Sequence, residues 1–525
     1  MTAPRRPSFV VFMTDQQRAD HLGCYGNPVV QTPNLDGIAA RGLRFERFHT
    51  ATPICQPNRA ALLTGRMPSA NGCRQNGIPV ALDETSYVDV LRAHGYRTGL
   101  VGKAHFQNVS PLPAKPRVAR GAGDLPHAPF DNALQTQRRG PAYEAEIRAF
   151  WARDPGRAVA LPYYGFDHLR LCIGHGDQVE GHYSAWLREK LAGAPDPRGR
   201  DRALDDPHGD GPQHWRTALP EDLYPTAYVA DEAEAFLHDA PKDEPFFLLV
   251  SFPDPHHPFT PPGRYFDLYD PDTIPLPSSF TQKTGARDDL PASMLAGYAR
   301  GDAAPDAYWP FHADADAVRR MIALNYGAIT MIDDAVGRVL AALRATGRDE
   351  ETVVCFMSDH GDYMGDHGTM LKHGLHTQGV IRVPFLWADP QGAQGVTQIH
   401  GSAIDFAPMV LQRAGIRVPV GMQGQDLLAG DARDLPVLIE DPGMGVYGDP
   451  DADTSIRSVV HGGWRLSVFE GSDLGELYDL NTDPDELRNL WAEPAAAAQK
   501  FVMMQHMLQR QMALRDTALL ATHQA

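Results

Sequence analysis

Short apolar runs alternate along the chain with segments in which apolar residues recur at helical spacing. The runs are rich in Val, Ile, Phe and Leu, which is typical of strands buried on both faces of a parallel sheet. We predict such strands at residues 9–13, 98–101, 246–252, 352–357, 384–387 and 437–439. The helical patterns cover residues 35–41, 59–63, 85–94 and 321–343. Strands that alternate with helices form βαβ units, so the pattern predicts an α/β fold around a large, mostly parallel central sheet.

Two segments interrupt this alternation. Residues 108–160 and 191–222 are dense in Pro, Gly, Arg and Ala. This composition predicts two long irregular loops, which we call the 108–160 and 191–222 excursions. Long loops in compact domains are usually functional covers, although a surface insertion without chemical consequence fits the composition equally well. We predict one large α/β domain over residues 1–430 that carries both excursions.

The C-terminal part of the chain has a different character. Residues 431–492 contain short strands and turns, among them residues 455–461 and 464–469, and predict a small antiparallel sheet. Residues 493–525 predict a helical arm, whose apolar side is formed by Phe501, Met504, Met507, Leu508 and Met512. Such a helix packs either on its own domain or on a second subunit. Methionine-rich faces suit adaptable contacts, so we favour the second subunit and expect a homo-oligomer, a dimer or a tetramer.

The charge of the chain narrows the set of partners. The sequence has 48 Lys and Arg against 66 Asp and Glu, which gives a formal net charge of −18. Nucleic acids and anionic membranes are bound by basic surfaces, so we expect neither as a partner. A small anionic substrate remains compatible with this charge, because a metal ion and a few local cations reverse the potential inside a pocket.

The sequence predicts a cytoplasmic protein. The first apolar run, residues 9–13, is too short for the core of a signal peptide. No stretch approaches the ~20 apolar residues of a membrane span. The cysteines are scattered and odd in number, so they do not form a disulfide framework; they are Cys24, Cys55, Cys73, Cys172 and Cys355.

Polar side chains follow three of the predicted strands directly. Ligands bind beyond the carboxyl ends of strands in open α/β sheets, so we expect these side chains at one edge of one sheet. They are Asp15 and Gln16, then Asp254, His256 and His257, and finally Asp359 and His360.

Two of these pairs have the composition of a metal site. Asp15 with Gln16 and Asp359 with His360 supply two carboxylates, one amide oxygen and one imidazole for a divalent ion. A single Asp-His pair is more simply explained by a hydrogen bond at a loop end, whereas two pairs in matching positions favour a metal ion. Imidazole is unusual for Ca²⁺ and common for Mn²⁺.

A cysteine lies at the predicted start of a helix. Pro57 and Arg59 place Cys55 at the helix N-terminus, where the dipole and free N–H groups favour negative charge. An ordinary cysteine there is an acidic thiol. The simpler alternative is an inert buried cysteine, with Arg59 on the surface of the first turn.

Cationic and polar side chains lie near these positions in the sequence. Lys103 and His105 follow residues 98–101, Lys372 follows the Asp359 turn, and Asn76 follows the Cys55 helix. Transfer of a sulfuryl or phosphoryl group depends on positioning and on cationic stabilisation of equatorial oxygens, which lysine provides as a point charge. Taken singly, each lysine is more simply a solvated charge and each histidine a structural one.

Several motifs together indicate a family. Cys55-Gln56-Pro57-Asn58-Arg59, followed by Thr64-Gly65-Arg66, matches the Cys-x-Pro-x-Arg pattern in which the cysteine is oxidised to Cα-formylglycine. Over nearly its whole length the chain resembles the type I sulfatases of the alkaline phosphatase superfamily and their phosphonate monoester hydrolase relatives. The other matching blocks are Thr32-Pro33-Asn34-Leu35-Asp36, residues 332–340, residues 381–385 and residues 476–480. The resemblance implies an alkaline-phosphatase-like α/β sandwich with a small C-terminal antiparallel sheet.

The resemblance also implies a role for each candidate residue. The metal ligands would be Asp15, Gln16, Asp359, His360 and the modified Cys55. Arg59 would stabilise formylglycine, and Lys103 and Lys372 would hold substrate oxygens and the leaving group. His105 would be the base that collapses the covalent hemiacetal, and His256, in preference to His257, would assist the leaving oxygen. Asn76 would contact the substrate.

Two metal positions depart from the arylsulfatase pattern. Many arylsulfatases have Asp where Gln16 stands and Asn where His360 stands. Gln and His look like the choline-sulfatase and phosphonate monoester hydrolase branch. The change removes one negative charge from the metal site, which favours Mn²⁺ over Ca²⁺ as the single divalent ion.

The resemblance implies a formylglycine-dependent hydrolase of sulfate monoesters, which acts through a covalent sulfated-enzyme hemiacetal. It needs a formylglycine-generating system as partner. The alternative is a phosphonate monoester hydrolase or phosphodiesterase that uses the same site, with promiscuity between the two. Two further alternatives are a metal-binding protein with a structural Cys55, and a phosphatase with another nucleophile, although Ser or Thr would then be normal at position 55.

Overall fold

The strands were located in a computed structural model, which describes residues 6–112, 138–209, 211, 213–292, 295, 310–443 and 455–515. In chain order they are β1 (Ser8–Thr14), β2 (Leu43–His49), β3 (Arg97–Gly102), β4 (His168–Ile173), β5 (Glu180–Gly181), β6 (Phe246–Ser251), β7 (Phe311–His312), β8 (Thr352–Ser358), β9 (Thr369–Met370), β10 (Phe385–Ala388), β11 (Gly395–Ser402), β12 (Val437–Asp441), β13 (Ile456–His461), β14 (Trp464–Phe469) and β15 (Gly475–Asp479).

The central sheet has the order β11-β2-β10-β8-β1-β6-β3-β4-β5 in the described ranges. Strands β8, β1, β6, β3 and β4 are parallel neighbours, whereas β10 and β5 run antiparallel to the strands beside them. The predicted mostly parallel sheet is therefore confirmed. Strand β10 begins one residue later than predicted, at Phe385, because Pro384 has no N–H group for the ladder.

Helices cover both faces of this sheet. They are α1 (Pro33–Ala40), α2 (Cys55–Thr64), α3 (Pro68–Asn71), α4 (Tyr87–Ala93), α5 (Arg148–Arg153), α6 (His182–Leu191), α7 (Pro225–Asp239), α8 (Ala315–Ala345), α9 (Gln378–Ile381), α10 (Phe406–Arg413) and α11 (Ala497–Ala513). Among the described helices, none combines the length and the hydrophobicity that crossing a lipid bilayer requires.

Strand β1 shows how the sheet divides the core. Val10 and Phe12 pack on the face that α1, α7 and α8 cover. Phe9, Val11 and Met13 point to the opposite face and pack with α2, α4 and α10. Full burial of each such side chain contributes about 1.5–3 kcal/mol. Because both faces are covered, the ligand-accessible part of the sheet is its edge at the strand ends.

The small C-terminal sheet is antiparallel, with the order β12-β13-β14-β15. The predicted strand at 437–439 belongs here, and its assignment to the mostly parallel sheet is wrong. Strand β12 pairs antiparallel with β13 through Val437 and Val460, a partner that a short apolar run does not reveal. The predicted domain boundaries at 430 and 492 stay predictions.

Helix α11 packs on its own chain. Met503 and Met507 are buried against the core that includes β13 and β14. Of the predicted apolar side, Met507 is therefore placed correctly, whereas Phe501, Met504, Leu508 and Met512 are exposed. Helix α11 has apolar residues on its buried face and on its exposed face. The sequence prediction treated these residues as one apolar side. Docking of the exposed face on a second subunit stays a prediction, and residues 516–525 lie outside the described residues.

Candidate active site

The candidate site lies at the carboxyl ends of adjacent parallel strands. Asp15 follows β1, Asp359 follows β8, His256 comes shortly after β6, and Lys103 follows β3. The backbone continues the ladder beyond the strands, since the N–H group of Asp359 donates to the Thr14 carbonyl at 3.2 Å. The parallel order of these strands thus brings together side chains that are up to 344 residues apart, from Asp15 to Asp359.

Four of the predicted metal ligands form one buried cluster. Asp15, Cys55, Asp359 and His360 each offer a ligand atom, and these atoms lie within 4.8 Å of one another. The Lys372 ammonium group lies beside them, 2.8 Å from Gln16 Oε1 and 3.1 Å from His360 Nε2. The positively charged Lys372 ammonium group is thus surrounded by these donor atoms. The donor set of carboxylate, amide and imidazole also fits a divalent metal ion.

Two neighbours orient the Gln16 amide. Its Nε2 group donates to Asp362 Oδ2 and lies 3.1 Å from Nδ1 of His257. The other carboxylate oxygen, Asp362 Oδ1, accepts the N–H groups of Met364 and Leu371 at 2.7 and 3.0 Å. Burial raises the pKa of Asp362 to about 6. Because both neighbours accept from Nε2, the Oε1 atom is directed at the predicted metal ligands. The choice of His256 over His257 for leaving-group assistance stays a prediction.

Cys55 is the first residue of α2 and is buried. Pro57 fits the first helical turn, where a missing N–H group costs no intrahelical bond. The Sγ atom lies 3.0 Å from His360 Nε2, 3.1 Å from Lys372 Nζ and 3.8 Å from Asp15 Oδ1. Burial raises the pKa of the thiol, but Lys372 and Lys103 outweigh it and leave the pKa below its ordinary value. If Cys55 is converted to formylglycine, its oxygens would lie near the Sγ position, close to the ligand atoms of Asp15, Asp359 and His360.

Arg59 is buried and holds two parts of the site together. Its Nε group donates to Asp359 Oδ2 at 2.7 Å. Its Nη1 group donates to the Lys103 carbonyl and to Ser251 Oγ, both at 2.9 Å. Arg59 therefore positions Asp359 and the Lys103 turn. Its predicted stabilisation of formylglycine stays a prediction.

A stack of histidines connects the two lysines. Lys103 Nζ contacts Asp15 and lies 2.8 Å from His175 Nε2. The His175 ring stacks on His256 with 3.6 Å between ring centroids and an interplanar angle of 11°. His256 Nε2 in turn lies 2.7 Å from Lys372 Nζ. Burial is the main cause that lowers the pKa of His175 to about 3 and that of His256 well below its ordinary value, so both rings are neutral at neutral pH.

Sequence reasoning missed His175. It follows β4, whose sequence His168-Leu169-Arg170-Leu171-Cys172-Ile173 has polar residues at alternate positions and was therefore not recognised as a strand of the buried sheet. Asp177 anchors the same loop, because its Oδ2 atom accepts hydrogen bonds from Gly199, Trp215 and Thr217. The 191–222 excursion thus supports this side of the site. The rule that ligands bind at strand ends would have found His175 had β4 been recognised.

His105 lies in a tight turn with φ of 54°. Glu146 holds this turn by accepting the N–H groups of residues 105, 106 and 107 at 2.6–2.9 Å. Burial, with Lys103 and Arg59, keeps the pKa of His105 well below its ordinary value, so its ring is neutral and able to accept a proton. Glu146 belongs to the 108–160 excursion and was not predicted. Residues 113–137 of that excursion lie outside the described residues.

Asn76 lies at the border of the site. It is exposed, and its Oδ1 atom accepts the N–H group of Gln56 at 3.2 Å, one residue after Cys55. The structure therefore brings all predicted site residues to one region. Hydrogen bonds and ion pairs connect Asp15, Gln16, Cys55, Arg59, Lys103, His256, Asp359, His360 and Lys372 directly.

Comparison with known proteins gives consistent matches. A model of the sulfatase family matches residues 7–416, and one of the C-terminal part of N-sulphoglucosamine sulphohydrolase matches residues 365–513. An arylsulfatase of Clostridium perfringens is 28% identical over 507 residues, covering 92% of this chain and 90% of that protein. A choline-sulfatase of Rhizobium meliloti is 26% identical, covering 93% and 83%. The crystal structure of a phosphonate monoester hydrolase of Agrobacterium radiobacter matches with a TM-score of 0.74 and 26% identity, covering 98% of this chain and 97% of that one.

The chain belongs to the sulfatase family within the alkaline phosphatase superfamily, because the family model matches well over half of its length. It is a hydrolase that acts on sulfate or phosphonate esters. The predicted family, fold class and general reaction are confirmed.

Proposed function

We propose that the protein is a formylglycine-dependent hydrolase of sulfate monoesters, with an aryl sulfate as the simplest substrate. The observation that supports this most strongly is the position of Cys55 Sγ within 4.8 Å of ligand atoms of Asp15, Asp359 and His360. An inert structural cysteine has no need of two carboxylates, an imidazole and a lysine around it. Conversion of Cys55 requires a formylglycine-generating system in the host.

The metal ligands in this proposal are Asp15, Gln16, Asp359, His360 and the modified side chain at position 55. Mn²⁺ fits this set better than Ca²⁺, because one donor is an imidazole and one is a neutral amide. When bound, the divalent ion would supply Lewis-acid polarisation of the ester oxygens and lower the pKa of a nearby hydroxyl group. His257 and Asp362, which contact Gln16 Nε2, would leave Gln16 Oε1 free to hold the ion.

The chain's own residues position the ester and move the protons. One hydroxyl of the hydrated aldehyde at position 55 loses its proton to solvent, the resulting alkoxide attacks sulfur, and the bond between sulfur and the ester oxygen breaks. Lys103 and Lys372 hold the sulfuryl oxygens, and their charge stabilises the transition state. The His256 Nδ1–H group donates to the His257 carbonyl, which leaves Nε2 as acceptor for Lys372. The proton shared by Lys372 and His256 neutralises the leaving oxygen.

The second half of the reaction releases sulfate. His105 removes the proton of the remaining hydroxyl at position 55, the aldehyde carbonyl forms, and the carbon–oxygen bond to sulfate breaks. Water then restores the hydrate. The neutral imidazole that burial imposes on His105 suits it to this role, and the Glu146 cradle keeps the ring in place.

The second candidate function is hydrolysis of phosphonate monoesters or phosphodiesters at the same site. Gln16 and His360 among the metal donors favour it, as does the 26% identity with a phosphonate monoester hydrolase structure over nearly the whole chain. A phosphodiester and a sulfate monoester both carry one negative charge, so the lysines accept either. We expect promiscuity, with the sulfate ester preferred.

The test compares kcat/KM for an aryl sulfate and for a phenylphosphonate monoester with the same leaving group. A higher value for the sulfate supports the proposed ranking, and a large preference for the phosphonate overturns it. Cys55→Ala should remove both activities, which shows that one site serves both substrates. Cys24→Ala is the matched control, since Cys24 lies on the opposite face of the sheet and should leave both rates unchanged.

A further inference from the structure

A second cluster of metal-ligating side chains lies outside the active site and shares no residue with it. His400 on β11, Asp434 in the connection before β12, and His461 at the end of β13 each offer one ligand atom, and these atoms lie within 4.8 Å of one another. The His506 ring on α11 lies 5.0 Å from the His461 ring. Four separate parts of the fold thus contribute to the cluster.

His400 has the arrangement of a metal-binding histidine. Its Nδ1 atom lies 2.8 Å from Asp434 Oδ1, and a carboxylate only accepts, so Nδ1 carries the proton. The lone pair is therefore on Nε2, which is buried and has no hydrogen-bond partner among the described residues. His400 is 2% exposed. A buried lone pair without a partner is costly, and a carboxylate that orients a ligating histidine is the usual arrangement around metal ions.

His461 provides a second available nitrogen. Its ring lies 5.1 Å from the His400 ring, and its buried Nδ1 atom has no partner in the described part of the chain. Arg47 also faces both rings, and the Asp434 carboxylate offsets its positive charge.

We propose that His400, His461 and His506 bind one Zn²⁺ ion, with Asp434 orienting the His400 ring, and that this ion fastens the C-terminal sheet and helix to the central sheet. Three imidazole nitrogens with water in the fourth position form a tetrahedral zinc site. His400 lies on an edge strand of the central sheet, His461 on the small sheet and His506 on α11. The ion would therefore connect three units that packing and hydrogen bonds also join, such as the bond from the Ser69 N–H group to Glu440 on β12, which makes its role structural.

The test uses the full-length enzyme with its catalytic metal bound. The enzyme is incubated with Zn²⁺ alone, freed of excess ion by gel filtration, and its zinc content is measured by mass spectrometry. We expect the wild type to retain one more zinc ion per chain than His461→Ala or His506→Ala, with esterase activity unchanged in both variants. Equal zinc content in the wild type and both variants overturns the proposal. His94→Ala, an exposed histidine elsewhere, is the matched control.

A second readout separates this site from the catalytic one. Zinc that enters the catalytic site should be lost in Asp359→Asn and kept in His461→Ala, whereas zinc at the proposed site should show the reverse. Added Zn²⁺ should raise the melting temperature of the wild type and of Asp359→Asn, but not that of His461→Ala. A thermal shift of the same size in His461→Ala contradicts the proposal even if that variant is less stable.

Discussion

The ammonium group of Lys372 lies 3.1 Å from the Sγ atom of Cys55. The same nitrogen lies 2.7 Å from His256 Nε2 and 2.8 Å from Gln16 Oε1. One lysine therefore links the proposed nucleophile, a neutral imidazole and a proposed metal ligand. Under the proposed function, this contact concentrates positive charge where an anionic ester would react, although the net charge of the chain is strongly negative.

The role of His105 predicts a distinctive kinetic defect. His105→Ala should release about one equivalent of aryl product per enzyme in a rapid burst and then stall, because the sulfated enzyme has lost the base that collapses it. Stopped-flow absorbance of the released phenol measures this. His94→Ala is the control and should turn over steadily. A steady-state rate for His105→Ala equal to that of the wild type would refute the assignment.

His175 should matter through its contact with Lys103. His175→Phe keeps a ring that stacks on His256 but loses the Nε2 atom that lies 2.8 Å from Lys103. We expect kcat/KM to fall about tenfold or more, because a charge that holds the substrate is no longer fixed. His168→Phe, on the β4 strand that precedes His175, is the matched control. If His175→Phe retains full kcat/KM, then stacking alone is the function of this residue.

Asp362 should control metal affinity through Gln16. Asp362→Asn keeps the Oδ1 atom that accepts two backbone N–H groups and presents an NH₂ group to Gln16 Nε2. Two donors then face each other, so the Gln16 amide must turn its oxygen away from the metal ligands. We expect Mn²⁺ affinity, measured by calorimetric titration of the chelator-treated enzyme, to fall about 10- to 100-fold. The control, Asp333→Asn, changes a buried carboxylate that caps α1 and should leave Mn²⁺ affinity unchanged.

The small C-terminal sheet should lose stability in acid through Glu476. Burial raises the pKa of this carboxyl group, but Arg465 and Arg287 outweigh it and lower the pKa from 4.5 to about 2. A carboxyl group whose pKa is lowered in the folded state stabilises the fold at pH values above its ordinary pKa of 4.5. That contribution is lost as the pH falls from 4.5 towards 2. Between about pH 6 and pH 3 the wild type should lose about 2 kcal/mol more unfolding free energy than Glu476→Gln. Urea unfolding at the two pH values measures the difference, and equal losses would contradict the assigned pKa.

The fold was predictable where its strands are almost entirely apolar. In β1, β6 and β8 every residue is buried, so each is an apolar run that helical periodicity cannot explain. Strands β2, β4 and β11 carry polar residues among their apolar ones and were missed. Strand β12 was found but assigned to the wrong sheet, since pairing partners depend on contacts far apart in sequence rather than on the run itself.

The site was predictable wherever a residue follows a recognised strand or lies in a family motif. His175, Glu146 and Asp362 act through contacts that sequence spacing does not encode. Glu146 holds the His105 turn from about 40 residues away, inside a segment whose composition only indicates an irregular excursion. Asp362 lies two residues after His360, but only the folded turn shows that it faces Gln16.

The most direct test of the central claim is mass spectrometry of the peptide that contains residue 55, from protein produced in a host with a formylglycine-generating system. The account predicts a peptide about 18 Da lighter than the cysteine form, which reacts with a hydroxylamine probe for aldehydes. The probe is needed because the hydrated aldehyde has nearly the mass of the thiol. An intact thiol at position 55 in protein that hydrolyses the aryl sulfate at full rate would contradict the account.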